Sequence, residues 1–364
     1  MKRISLITIH LGSNFGSILQ AIATVNMFKE HQCSVVIVNY IPDRCTWKRF
    51  FIRALKSPTA FIKSVIMFPI EIINKHLYNS FLAKYANVSK PIYSNDDFVK
   101  ACPKADVYVT GSDQVWNSIH NEGLDERYYF EGFPENVTKV AYSSSIGRED
   151  LNEGEYLEMK RMLGTYKAIS VREASAKTII ESMGYKVCHL LDPTFMLDKA
   201  KWSQYRSKRI VKEPYIMVYL PYNTHDKNLI YKSVRVIAQC KKLKVVTFSW
   251  TIRPEKLADR TVYFADPGDF LSLMDYADYI VTNSFHGTAF SINLNKQFYV
   301  YLPTGFGTRI MSILNLCSLS DRLLKADEVV SVEKVERTID YNSINLILNR
   351  ERKLAHEFLD NALN

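Results

Sequence analysis

No G-x-G-x-x-G follows any apolar run in this chain, and it has neither a Walker A loop nor a G-x-S-x-G elbow. Those absences argue against a nicotinamide enzyme, a P-loop NTPase and an α/β-hydrolase. No carboxylate pair of the kind glycosidases place across a cleft is recognisable. The six cysteines (Cys33, Cys45, Cys102, Cys188, Cys240, Cys317) form no C-x-x-C and no Cys/His group. Neither a zinc site nor a disulfide framework is indicated, and a reducing, cytoplasmic compartment is expected. There is no fixed-period repeat and no low-complexity tract. The apolar stretch from Ala54 to Ile73 is interrupted by Lys56, Pro58, Lys63 and Pro69, so no uninterrupted span of about 20 apolar residues exists to cross a bilayer. The first apolar run, broken by His10 and Gly12, reads as a β-strand and not as a signal peptide.

What is present suits a two-domain globular protein: 364 residues, 47% of them apolar. An excess of nine Lys and Arg over Asp and Glu favours anionic partners without choosing among them; no nucleic-acid partner is expected. Apolar runs alternate with helical patterns. Ile4–Ile9, a helix from about Gly16 to Phe28 and Val35–Val38 make a βαβ unit, and the pattern resumes at Val107–Val109, Val140–Ser143 and Ile169–Val171. A second series runs through Tyr215–Leu220, Val245–Phe248, Tyr279–Thr282, a helix from Thr288, and Phe298–Leu302, with Arg309–Asn364 mostly helical. The expectation is an α/β protein of two Rossmann-like, doubly wound domains facing a cleft, residues 1–197 and 198–364.

A basic excursion at about 45–85 interrupts the first domain. Lys48, Arg49, Arg53, Lys56, Lys63 and Lys75 stand there among aromatic and aliphatic residues. It reads either as a helical cover for the core, the favoured reading, or as a segment resting on the anionic cytoplasmic face of a membrane.

Ligands of doubly wound sheets sit beyond the carboxyl ends of strands, and here those ends are polar. The first gives His10-Leu11-Gly12-Ser13-Asn14-Phe15-Gly16, the next Gly111-Ser112-Asp113-Gln114-Val115-Trp116-Asn117, then Tyr142-Ser143-Ser144-Ser145 and Val171-Arg172-Glu173. Arg172 presents a planar fork to a carboxylate or phosphate, or pairs with Glu173 or another acid. In the second domain, Asn283-Ser284-Phe285-His286-Gly287 places an imidazole at a helix start, either as an acid–base group or as a packing residue. His31, His76, His120, His225 and His356 have no patterned partner, and His189 lies near a strand end.

Taken together, SNFGSILQ (13–20), GSDQVWN (111–117), AYSSSIG (141–147), SVREASA (170–176), LDPTF (191–195), TNSFHGTAFSI (282–292) and TRIMSILNLCSLSDR (308–322) resemble the polysaccharide pyruvyl transferase family. The resemblance implies a GT-B-like fold and transfer of the pyruvyl group of phosphoenolpyruvate onto two hydroxyls of one sugar, with release of phosphate. It implies phosphoenolpyruvate as donor, a sugar acceptor that is either lipid-linked or nucleotide-linked, and neither an organic cofactor nor a required metal. The donor site is expected at His286, Ser284, Gly287, Arg172 and Arg309, with His286 transferring the proton. Asp113 is the expected base. Asn14, Gly16, Gly111, Gln114, Trp116, Asn117, Ser143 and Ser144 are expected to bind substrate, though Trp116 reads equally as core. The competing readings are a GT-B glycosyltransferase using a nucleotide sugar and a non-catalytic sugar-binding member.

Overall fold

The computed structural model describes every residue except Ser13, Asn95, His225 and Phe306, and all side chains but those and Arg53's. Ser13 of the first turn, His225 and the Arg53 side chain therefore lie outside the described residues. The chain divides into two compact units, Met1–Met196 with Lys353–Asn364, and Leu197–Arg352.

The first unit is built on a seven-stranded, wholly parallel sheet. Its order is Asn87–Val88, Ser34–Ile37, Arg3–Ile7, Val107–Thr110, Thr138–Ser144, Ala168–Val171 and Cys188–His189. Its central strands are buried on both faces, which is why they read as continuous β-branched runs without alternation. From Arg3–Ile7 the chain moves outward to Ser34–Ile37 and Asn87–Val88, then returns to the other side of Arg3–Ile7 with Val107–Thr110. That reversal puts the loops after Arg3–Ile7 and Val107–Thr110 at the switch point where doubly wound folds place ligands. Helix Phe15–Glu30, capped by the Asn14 side chain on the Gly16 amide, buries nearly its whole circumference, and it carries no acidic residue in its first turn. The excursion folds as two helices, Trp47–Ala54 and Pro58–Tyr85. Among the described residues no helix is long and apolar enough to cross a membrane.

The second unit repeats the plan with a six-stranded parallel sheet in the order Arg260–Tyr263, Lys244–Ser249, Tyr215–Tyr219, Tyr279–Thr282, Gln297–Tyr301, Leu323–Leu324. Its switch point lies between Tyr215–Tyr219 and Tyr279–Thr282.

Three features differ from the sequence expectation. The last helix, Tyr341–Leu363, does not end in the second domain: residues 353–364 belong to the first unit. There Ala355, Leu359 and Ala362 are buried, Asp360 meets His31 Nδ1 at 2.9 Å, and Lys2 Nζ donates to the Leu363 carbonyl. The helix expected from Thr288 begins at Phe285, because Ser284 caps it by accepting from the Gly287 amide at 3.3 Å. The short strands at Asn87–Val88 and Arg260–Tyr263 carry too few apolar residues to signal themselves.

Candidate active site

The stretch Gly111–Asn117 leaves its strand through a close approach. A Cβ on Gly111 would stand 2.9 Å from Leu6 Cδ1 and 3.0 Å from Thr8 Cβ, so a side chain there would push the two central strands apart. Asp113 then takes a left-handed backbone (φ 74°), which short polar side chains tolerate, and its carboxylate turns inward. Oδ2 accepts from Ser17 Oγ at 2.6 Å; Oδ1 accepts from the Gln114 amide at 2.9 Å and from Arg172 Nη2 at 3.1 Å. Asp113 thus ties three loops to one another: the start of helix Phe15–Glu30, its own loop, and the end of Ala168–Val171.

The other edge of the Arg172 guanidinium donates to Asp192 Oδ2 at 2.6 Å and to Ser112 Oγ at 3.2 Å, and Ser112 Oγ itself donates to Asp192 at 3.0 Å. Asp192 is fixed by the amide and hydroxyl of Thr194, at 2.9 and 2.7 Å. Burial alone would lower the pKa of Arg172, but Asp192, Asp113 and Glu173 outweigh it and hold the guanidinium charged. Glu173 Oε1 in turn accepts from Ser145 Oγ and from the amides of Ile146 and Gly147, at 3.0, 2.8 and 2.8 Å. Arg172 is therefore the centre of a buried ion network, and the sequence alternative that pairs it with acids describes its geometry.

Several residues expected to touch substrate are also inside. Trp116 is fully buried and stacked on Tyr129 at 5.5 Å, so it fills core and offers no face to a sugar. Asn117 caps the turn of helix Ser118–Asn121 by accepting from the His120 amide at 3.0 Å. Ser143 and Ser144 sit where the pairing of Thr138–Ser144 with Ala168–Val171 shifts register, with Ser143 at φ 51°. Their hydroxyls donate to the carbonyls of Leu191 at 2.6 Å and Gly111 at 3.0 Å. Gly16 is buried within its helix, while Asn14 is half-buried, and Asp113 and Gln114 keep a small exposed area. Ser17, Ser112, Glu173 and Asp192 all lie inside the motifs quoted from the sequence, and Glu173 is one of the partners expected for Arg172, but sequence reasoning did not count the four as site residues.

In the second unit, Gly287 has no room for a side chain: a Cβ would meet Thr282 Oγ1 at 2.2 Å. That contact seats helix Phe285–Asn293 directly against its strand and puts His286 in the first turn, buried to 2% exposure. Thr282 Oγ1 accepts from the Ser284 amide at 3.1 Å and donates to the Tyr219 carbonyl at 2.7 Å, which ties the two strands at the switch point. Arg309, at the start of helix Thr308–Leu316, lays its guanidinium over Phe285 at 5.4 Å. Ser284, His286, Gly287 and Arg309 are thus gathered at one helix start, the positive end of a helix dipole, with the Arg309 guanidinium beside it.

The sequence from residue 14 to residue 303 matches the family described as Polysaccharide pyruvyl transferase. The chain belongs to that family. The pyruvyl transferase match begins at Asn14, takes in helix Phe15–Glu30 and the loops after Val107–Thr110, Thr138–Ser144, Ala168–Val171 and Tyr279–Thr282, and ends before the Arg309 helix. No curated protein matches the sequence. Among solved structures, the chain is similar in fold to UDP-GlcNAc 2-epimerase from Neisseria meningitidis bound to UDP-GlcNAc, with TM-score 0.50, 10% identity, and 100% of this chain and 99% of that one covered. It is similar to S. aureus MnaA in its UDP co-structure, at TM-score 0.50 and 12% identity over 98% and 91% of the chains. It is similar also to Anabaena HepE in complex with UDP and glucose, at TM-score 0.50 and 9% identity over 100% and 99%. At such identities the likeness shows the fold alone, which is GT-B-like with two Rossmann-type domains.

Proposed function

We propose that this family member transfers the pyruvyl group of phosphoenolpyruvate onto two hydroxyls of one sugar in a surface-polysaccharide precursor, forming a cyclic ketal and releasing phosphate. The observation that carries the reading is that SFHG, inside the family match, holds an imidazole in the first turn of a helix at a switch point, with Arg309 close by. Phosphoenolpyruvate brings a carboxylate and a phosphate, and a helix start with an adjacent guanidinium suits such an anion.

A proton added to C3 turns the enol CH2 into a methyl group and leaves cationic character at C2. One sugar hydroxyl attacks C2, phosphate departs with the C2–O bond, and the second hydroxyl closes the ketal, the two hydroxyl protons leaving with base or phosphate. We assign the C3 proton to His286. Asp113 receives a different role from the expected one. Both carboxylate oxygens of Asp113 are engaged, Oδ2 by Ser17 and Oδ1 by the Gln114 amide and the Arg172 guanidinium, so we place it as a positioning residue that holds the Ser17 and Arg172 loops.

Turnover in heavy water should put solvent deuterium into the ketal methyl, read by mass spectrometry. His286→Gln should slow turnover by roughly 10²-fold or more while the fold is kept. A product methyl lacking solvent deuterium would overturn the route, and near-normal turnover in His286→Gln would confine the histidine to binding. Thermal stabilisation by phosphoenolpyruvate and not by UDP-sugars is the expected donor result; the reverse would turn the assignment towards nucleotide-sugar chemistry.

A further inference from the structure

We infer that the helical hairpin of residues 47–85 is a docking surface for an anionic bilayer, lying on the membrane without crossing it. Helix Pro58–Tyr85 has two apolar faces. One is turned to the unit: Ile70, Tyr78, Phe81 and Leu82 are buried, and Tyr78 stacks on Phe15 at 5.3 Å. The other carries Phe61, Ile62, Val65, Ile66, Ile72 and Ile73, all 44–60% exposed. At 100° per residue these six fall within an arc of about 140°, so they form one continuous stripe.

Helix Trp47–Ala54 adds Phe51 and Ile52 at 50% and 47% exposure, and Leu55 beyond it is 77% exposed. The two helices are clamped by aromatic contacts of Trp47, Phe50 and Phe51 with Phe68, at 5.1, 5.9 and 5.5 Å, so the exposed residues belong to a built element. A continuous exposed apolar stripe of this kind marks a contact site.

The charge chooses the occupant. Residues 47–85 contain seven Lys and Arg against one acid, Glu71. Lys48, Lys56 and Lys63 are exposed beside the apolar residues. A second copy packed on the same face would bring like charges together, whereas an anionic lipid surface pairs with them and receives the apolar stripe. The hairpin also frames a cavity of about 400 Å³ with Leu11 and Gly12, which follow the first strand, its wall including Trp47, Phe50, Glu71 and Lys75. A docked hairpin holds that cavity next to the lipid, where a lipid-linked sugar would reach it; this last step rests on the pyruvyl-transfer reading.

The test is co-sedimentation with vesicles of phosphatidylcholine alone and of phosphatidylcholine mixed with phosphatidylglycerol. The protein should partition to the phosphatidylglycerol vesicles at low ionic strength and be released as salt rises. Ile62→Glu/Ile66→Glu and Lys48→Glu/Lys56→Glu should each lower that partition about tenfold or more, with melting temperatures unchanged because all four side chains are exposed. Failure to bind phosphatidylglycerol vesicles, equal binding to phosphatidylcholine alone, or a dimer that Ile62→Glu/Ile66→Glu dissociates would overturn the inference. Partition needs no donor, so vesicle binding without phosphoenolpyruvate turnover would sink the proposed function alone, and turnover of a soluble acceptor without vesicle binding would sink the docking surface alone.

Discussion

Arg172 is legible in the sequence as a cation behind an apolar strand, but what it does depends on Asp113, 59 residues earlier, and Asp192, 20 residues later. No local pattern pairs them; only the side-by-side strands bring the three loop ends together. The consequence is a change in what its removal reports. Arg172→Ala strands two buried carboxylates, and the expected outcome in equilibrium denaturation is a loss on the order of 3–5 kcal/mol. Donor affinity cannot be read from that variant, since its fold is what suffers. An unchanged denaturation midpoint would show that the network contributes nothing to stability. Trp116 teaches a similar lesson: its type suited both a sugar platform and a core filler, and the stacking on Tyr129 decides for core.

At the scale of elements, the strand and helix periodicities were clear where runs were long, and element ends followed side-chain caps that the sequence shows only in retrospect, such as Ser284 and Asn117. One helix end yields a pH prediction. Helix Pro267–Asp275 finishes at a carbonyl to which Lys296 Nζ donates, while Lys199 and Arg206 pair with the Asp275 carboxylate. Burial and the neighbouring Lys199 push the Lys296 ammonium down to about 8. Its folded value is thus below its unfolded one, so between about pH 8 and the ordinary lysine range the unfolded chain binds more protons. The contribution of Lys296 to stability should rise with pH through that window. Thiols such as Cys102 and Cys317 and phenols such as Tyr341, which burial holds neutral, oppose it from about pH 9 upward. The stability of the protein relative to Lys296→Met should therefore rise between pH 7.5 and 10, which chemical denaturation of the two would read. A difference between them that stays constant over that range would refute the assignment.

At the scale of the whole molecule, the last twelve residues return to the unit that contains the first strand. Leu359 is fully buried there, Phe358 lies 6.4 Å from Tyr142, and His31 shares a 2.9 Å hydrogen bond with His356. Leu359→Ala should therefore destabilise the first unit by about 2–5 kcal/mol. Hydrogen exchange should then quicken in Phe15–Glu30 and Arg3–Ile7 before it does in Tyr279–Thr282. Equal quickening in both units, or none in the first, would contradict the placement of the helix end.

The sequence by itself determined the two runs of alternating strand and helix, the polar strand ends at which ligands are expected, and membership of the pyruvyl transferase family, because all three are carried by residues near one another in the chain. Apolar periodicity and short motifs are local, and they survive without knowledge of what packs on what. Tertiary structure alone decided which polar residues are bound up inside: Ser17 reaches Asp113 across 96 residues and Ser112 reaches Asp192 across 80. It alone decided that the terminal helix ends in the first unit, and that the basic hairpin both covers core and shows a second apolar face. Those outcomes come from burial, which removes water from some polar groups and makes their partners obligatory, and burial is a property of the packed chain.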